Sequence, residues 1–152
     1  MGHSEELLKE LENKADIVRQ TIFTIFDSSQ AGHAGGTMSP VELITALYFH
    51  HMKVDSNNCD WPERDRLVLS KAHCCEAIYA VLPEMGWVSK DKLCTYYRCG
   101  SPLQGHADRW CTPGIDYFGG SLGQGLSFAV GMALAEKRDR LHSGHGKRLM
   151  PA

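Results

Sequence analysis

Three histidines of this chain lie in short turns made of small residues, where an imidazole can reach a bound ligand. His33 is flanked by glycines, His73 follows a short apolar run, and His106 follows a glycine. A fourth turn, residues 119–125, contains four glycines. Glycine lets the backbone approach a ligand closely, and imidazole donates, accepts or transfers a proton near neutral pH. The combination predicts a site for a polar, phosphorylated ligand.

Each histidine also has an interpretation without a ligand. The glycines around His33 could serve an ordinary tight turn, and His73 could be a hydrogen-bonded residue of a buried turn. Asp108 follows His106 by two residues and could orient that ring or simply be solvated. The position of His73 after an apolar run favours a ligand contact, because ligands of open α/β sheets bind at the carboxyl ends of strands. Both interpretations stay open from these residues alone.

The glycine-rich turn at 119–125 does not match the common nucleotide-binding loops. It lacks the Gly-x-Gly-x-x-Gly spacing of dinucleotide-binding proteins, and the chain has no Gly-Lys-Ser/Thr segment. The turn could instead allow a helix to pack closely on its neighbours.

The six cysteines are predicted to be reduced thiols. No Cys-x-x-Cys pair is present, so the spacing does not favour a structural zinc site. Cys74 and Cys75 are interpreted as core residues rather than nucleophiles, because a reactive thiol needs surroundings that stabilise its thiolate.

Composition is that of an ordinary globular domain. The chain has 152 residues, 43% hydrophobic and 22% charged, with a formal net charge of −2. One domain is therefore expected, and no charge excess would attract nucleic acid or an anionic membrane. The N-terminus is acidic and amphipathic and lacks the basic and apolar regions of a signal peptide. We expect a cytoplasmic protein without a membrane span.

Hydrophobic periodicity, with proline and glycine at the expected ends of helices and strands, predicts an α/β fold with a parallel sheet flanked by helices. Ser39-Pro40 with Glu42 is typical of a capping box at the start of the second helix. Only two strands are visible, fewer than a covered parallel sheet normally contains, so the sheet is expected to be incomplete. Helices are predicted at 5–27, 40–52, 76–82, 89–97 and 122–138, the last one enclosed by neighbours, and strands at 66–70 and 115–118.

Taken in order, four segments resemble the N-terminal section of transketolase, a thiamine diphosphate enzyme. The resemblance covers about residues 16–136. Residues 32–39 look like the family's Gly-His-Pro-Gly-Gly turn, and residues 65–73 like its strand ending in Ser-Lys-Gly-His. The segments 103–106 and 120–125 complete the series.

The resemblance implies roles for individual residues. His33 and His106 would be catalytic and substrate-binding residues that contact sugar hydroxyls, and His73 would contact the cofactor diphosphate. Backbone at Gly120, Ser121 and Leu122 would line the ring part of thiamine diphosphate. The implied reaction transfers a two-carbon ketol unit between sugar phosphates, as in the pentose phosphate pathway, and uses the cofactor to stabilise a carbanion.

Several residues depart from the family pattern. Ala34 replaces the usual proline, and Cys74-Cys75 stands where alanines are common. Ala72 replaces the usual glycine, while Gly119 stands where threonine is common.

A larger departure concerns the Mg²⁺ or Ca²⁺ that the family uses to bind the diphosphate. It is held by a later Gly-Asp-Gly segment and an asparagine, and this chain contains no Gly-Asp dipeptide, so no metal ligand is assigned. The resemblance ends at about residue 136, and residues 137–152 form a divergent tail. We therefore expect residues 1–152 to form one partial, truncated thiamine diphosphate-binding domain.

Such a domain is expected to be inactive alone. Its partner would be a C-terminal transketolase section or a second subunit, in a homodimer or a heteromer. Two alternatives remain: a non-catalytic remnant or interaction module that docks on an intact transketolase subunit, and the product of a broken reading frame.

Overall fold

The computed structural model describes residues 4–142, and their core is built around one long helix. Helix α1 spans Glu5–Ser29 and buries Ala15, Val18, Ile22 and Ile25, apolar residues that recur at steps of three and four and so form one stripe. The Ser4 hydroxyl accepts a hydrogen bond from Leu7 N at 3.2 Å and so caps the helix. Helix α1 packs against two later helices, Val41–Ala46 (α3) and Cys75–Val81 (α4). The predicted helix at 5–27 is confirmed.

The second predicted helix, at 40–52, agrees within a residue at each end: α3 spans Val41–Ala46 and continues directly as a π-helix over Leu47–His51. A short helix, α2, precedes it at Ala34–Met38, within the turn that carries His33. The predicted capping box is wrong. Ser39 already has right-handed helical backbone at the end of α2, and its hydroxyl donates to the Gly36 carbonyl at 2.9 Å. It therefore cannot cap α3.

Helix α4, Cys75–Val81, lies at the centre of the molecule, and all seven of its residues are buried. A 3₁₀ turn at Ala72–Cys74 leads into it and carries His73. The prediction of a helix at 76–82 agrees within a residue at each end. Helix α5 covers only Lys90–Leu93 of the segment predicted at 89–97.

The predicted strands at 66–70 and 115–118 are not strands in the structure, and none is present elsewhere in residues 4–142. A strand is stabilised by backbone hydrogen bonds to a neighbour. Here Leu67 N instead donates to the Asp116 side chain, at 3.2 Å. The parallel sheet therefore remains a prediction.

Helix α6 spans Gln124–His142 and begins two residues later than predicted. The prediction that neighbours enclose it is wrong. Leu126, Val130 and Leu134 are 71%, 51% and 62% exposed. The helix extends past residue 138 into the segment predicted to be a polar tail, and residues 143–152 of that tail lie outside the described residues. No helix within 4–142 has both the length and the apolar character to cross a membrane.

Candidate functional site

Two of the three singled-out histidines lie side by side. His33 is the residue before α2 and is exposed, while His73 is half-buried in the 3₁₀ turn before α4. Their ring centroids are 5.0 Å apart in an edge-on arrangement. Residues 40 positions apart in the chain therefore form one imidazole pair, which can contact a single small ligand.

The glycine-rich turn packs directly on the segment that carries His73. A Cβ atom on Gly119 would lie 2.6 Å from the Ala72 Cβ, and one on Gly125 would lie 2.7 Å from the Ser70 Cα. Both approaches are closer than real Cβ contacts, so glycine is required there for the two segments to touch. The turn at 119–125 is thus fixed against the His73 turn at two points.

The backbone between those two contacts remains open. Gly120, Ser121 and Leu122 are all exposed, and a Cβ on Gly120 would meet nothing within 4 Å. The Ser121 carbonyl accepts from Gln124 N at 3.4 Å, whereas the Gly120 backbone is unobstructed on the side where a side chain would project.

The His106 turn joins the same cluster through its neighbours. The Tyr79 hydroxyl donates to the Gln104 carbonyl at 2.9 Å, and the Cys75 thiol donates to the Gly105 carbonyl at 3.3 Å. On the other side of His106, the Ala107 carbonyl accepts from Gly119 N at 3.3 Å. The His106 side chain is exposed. All four predicted segments thus meet around the start of α4.

The prediction that Cys75 is a core residue agrees with its surroundings. Burial, followed by the charge of Glu76, raises the pKa of the Cys75 thiol to about 12. A thiol that stays protonated at neutral pH is a poor nucleophile. All six cysteines are free thiols.

Lys71 is a cation beside the histidine pair that the sequence did not single out. Its Nζ donates to the Gly36 carbonyl and to the Ser39 hydroxyl, each at 2.8 Å. The ammonium group therefore lies at the end of α2, the helix that follows His33. The only sequence signal was its position two residues before His73.

Glu76 is a second residue that sequence reasoning missed. Its side chain is buried within α4, where its carboxylate oxygens accept hydrogen bonds from the hydroxyls of Thr37 and Tyr96. An acidic residue in a helix gives no sequence signal of burial, because most such residues face solvent.

Metal ligation has no support in the described part of the chain. No three His, Cys, Asp or Glu side chains among these residues lie close enough together to hold a metal ion. The candidate site is thus built from imidazoles, one ammonium group and open backbone.

Comparison with known proteins identifies the family. Residues 11–147 match the model described as "Transketolase, thiamine diphosphate binding domain". A 6-deoxy-6-sulfo-D-fructose transketolase subunit from Clostridium sp. is 46% identical over 132 residues, which cover 87% of this chain and 48% of that protein. An apulose-4-phosphate transketolase subunit from Actinobacillus succinogenes is 41% identical, with 85% of this chain and 47% of that protein covered.

Solved structures agree. Transketolase from Leishmania mexicana superimposes with a TM-score of 0.79 and 36% sequence identity, covering 83% of this chain and 19% of that one. The chain spans about half the length of the two subunit relatives. Because the family model matches most of the sequence, the chain belongs to the transketolase family and corresponds to its thiamine diphosphate-binding, N-terminal portion.

Proposed function

We propose that this chain is the N-terminal half of a transketolase-type active site and transfers a two-carbon ketol unit between sugar phosphates together with a partner. The observation that carries this proposal is the convergence of four segments, distant in sequence, around the start of α4. Each segment contributes a group that can bind phosphate or hydroxyl oxygens.

The residues present fit the diphosphate and ring parts of thiamine diphosphate. His73 and Lys71 offer nitrogen donors, and the turn at Gly120–Leu122 offers unobstructed backbone beside them. Donors of these kinds suit an anionic, phosphorylated ligand. When bound, the cofactor supplies a carbanion-stabilising centre, the chemistry that side chains lack.

This chain's own residues bind and orient the sugar. His33 and His106 are exposed imidazoles on the rim of the cluster, where they donate hydrogen bonds to sugar hydroxyls and accept or return a proton during the transfer. His73 would contact the diphosphate, and Gly120, Ser121 and Leu122 would hold the ring part through their backbone. We assign no residue of this chain to the divalent cation.

The partner we propose is the remaining portion of a transketolase, as a separate subunit or a further chain section. Two of the relatives are themselves named as transketolase subunits, and this chain covers only about half of each. A face of α6 rich in exposed apolar residues supports association. The same face favours the second candidate function, a non-catalytic module that docks on a transketolase subunit.

Calorimetric titration with thiamine diphosphate and Mg²⁺, with and without a C-terminal transketolase chain, tests the proposal. We expect binding only when the partner is present. His73→Gln should then weaken it about tenfold, since hydrogen bonds to charged groups contribute about 1.5–3 kcal/mol. His51→Gln is the matched control, because His51 is exposed and belongs to none of the four turns.

Turnover separates the two candidate functions. The complete pair should transfer the ketol unit from xylulose 5-phosphate, the sugar in a similar transketolase structure from Pichia stipitis, to an aldose phosphate. Partner binding without cofactor binding or turnover would favour the docking module. Metal-dependent cofactor binding by the isolated chain would show that the site is complete without a partner.

A further inference from the structure

Helix α4 connects the three histidine turns, and Glu76 is its connection to the turn of His33. The side chain is 1% exposed, yet both carboxylate oxygens have partners. Oε2 accepts from the Thr37 hydroxyl at 2.9 Å, and Oε1 accepts from the Tyr96 hydroxyl at 2.6 Å. One carboxylate therefore ties α4 to α2 and to the segment after α5.

Thr37 transmits this connection to His33. Its backbone N–H donates to the His33 carbonyl at 2.8 Å, which closes the first turn of α2. At the other end of the turn, a Cβ on Gly32 would lie 2.7 Å from Glu76 Oε1 and would also overlap the Phe26 ring. Glu76 thus bonds to Thr37 after His33 and leaves no room for a side chain on Gly32 before it.

Stability alone is a weak explanation for a carboxylate at this position. Burying a carboxylate costs several kcal/mol of solvation, and apolar residues of similar volume often stabilise a core equally well. Hydrogen bonds, unlike apolar contacts, fix direction as well as distance. Burial, followed by the bond to Glu76, raises the pKa of Tyr96 well above its usual value, so this hydroxyl remains a donor.

We infer that Glu76 is a positioning residue that sets the separation of His33 and His73 by anchoring the 32–37 turn to the helix that follows His73. The role in sugar binding rests on the proposed function, but the positioning itself does not. If the anchor is removed, the His33 ring loses its fixed place beside His73 while the His73 turn keeps its contacts with Gly119.

Two threonines provide a matched test. Thr37 and Thr45 are both buried, at 0% and 1% exposure, but only Thr37 donates to Glu76, whereas Thr45 Oγ1 has no hydrogen-bond partner. Thr37→Val and Thr45→Val therefore make the same chemical change with and without loss of the anchor. Thr37→Ser restores the hydroxyl, and Glu76→Met removes both acceptors at similar volume.

The first readout needs no cofactor. In the full chain, hydrogen exchange of residues 33–38 should be about tenfold faster in Thr37→Val and Glu76→Met, because a lost hydrogen bond to a charged group lowers the free energy of local opening. The nuclear Overhauser contact between the His33 and His73 rings should weaken. Thr45→Val and Thr37→Ser should match the wild type in both measurements.

The second readout uses the chain with its C-terminal partner. Thr37→Val should raise KM for xylulose 5-phosphate about tenfold and leave thiamine diphosphate affinity within about twofold, because only the His33 side is displaced. If Thr37→Val and Thr45→Val exchange alike and keep the ring contact, the inference is overturned. If the wild type binds no cofactor while the exchange difference persists, the proposed function fails and the positioning role stands.

Discussion

Ala72 occupies the space that a side chain at position 119 would need. Both residues depart from the transketolase pattern to which the sequence is similar, where glycine is usual at the first position and threonine at the second. A Cβ on Gly119 would lie 2.6 Å from the Ala72 Cβ and 3.2 Å from its Cα. Only one of the two positions can therefore carry a side chain, so the two departures compensate each other.

Gly119→Thr should lower the free energy of unfolding by about 2 kcal/mol, the usual cost of overpacking a filled site. In the Ala72→Gly background the same change should cost much less, because the Cβ that it meets is gone. Urea unfolding of the two single variants and the double variant measures this coupling. Additive effects would show that Ala72 and Gly119 do not compete for one space.

Site residues differ in how far sequence could identify them. His33, His73 and His106 stand out because glycine and small residues surround them, and the structure brings their turns together, while their assigned roles remain predictions. Lys71 and Glu76 could not be found this way. Their partners lie 35 and 39 residues away along the chain, and only packing creates those contacts.

Among the elements, helices were predictable where periodicity and stop signals agree. The boundaries of α1 and α4 follow from an apolar stripe and from Pro83 just beyond α4. The two predicted strands are not formed in residues 4–142, and an apolar run alone does not reveal whether a neighbour completes its backbone hydrogen bonds. The prediction that neighbours enclose α6 was wrong for a related reason. An apolar helix sequence does not reveal whether the surface that covers it belongs to the same chain.

An ion cluster joins the two segments that were predicted as strands. Arg64 donates two hydrogen bonds to the Asp116 carboxylate, at 2.7 and 2.9 Å, and Arg66 adds a third at 3.1 Å. Arg64 and Asp116 are both buried. The cluster therefore holds the segment leading to His73 against the segment leading to Gly119.

Asp116→Ala should destabilise the chain by about 3–5 kcal/mol, because it leaves a buried guanidinium without its counter-charge. Arg66→Gln is the control. Arg66 is half-exposed, so its loss should cost no more than about 1 kcal/mol. Denaturant unfolding followed by circular dichroism measures both, and equal losses would contradict the central role of the Arg64–Asp116 pair.

A second charge cluster fastens α1 to the turn after α4. Glu84 lies 3.1 Å from Lys14 Nζ and 3.3 Å from Lys90 Nζ. Burial by itself would raise the pKa of Glu84, but the hydrogen bonds and charges of the two lysines outweigh it and lower the pKa below the ordinary 4.5. The folded state therefore binds this proton less tightly than the unfolded state.

Lys14→Met should reduce stability by about 0.5–1 kcal/mol at pH 7. A carboxyl whose pKa is lowered by folding stabilises the fold above its unfolded-state pKa and loses that contribution as pH falls through the folded-state pKa. The difference between wild type and variant should thus shrink below pH 4.5. Lys92→Met, an exposed lysine of α5, is the control in thermal unfolding at pH 7 and pH 3. If the stability difference between wild type and Lys14→Met is the same at both pH values, Lys14 acts through packing and not through its charge.

At the scale of the whole molecule, α6 carries an exposed apolar face, and the chain spans about half the length of its subunit relatives. Leu126, Val130 and Leu134 are spaced four residues apart and so line one face of the helix. The helix begins at Gln124, within the glycine-rich segment 119–125 of the candidate site. A transketolase partner seated on this face would therefore also border the site.

Leu126→Glu combined with Leu134→Glu should weaken binding of the C-terminal transketolase chain at least about tenfold, because each buried leucine contributes about 1.5–3 kcal/mol. Leu8→Glu, at an exposed position of α1, should leave the affinity unchanged. Calorimetry together with size-exclusion chromatography measures both. Equal affinities would place the partner on another surface.

The central position of α4 also dictates when the site can form during synthesis. The helix has no face for solvent, and its partners come from both directions along the chain: Thr37 is made before it, and Tyr96 and Gln104 after it. His33 and His73 are therefore synthesised well before Tyr96, Gln104 and Gly119, the later residues that pack on α4 and on the His73 turn. We expect the three turns to be set together, only after the chain has grown past Gly119.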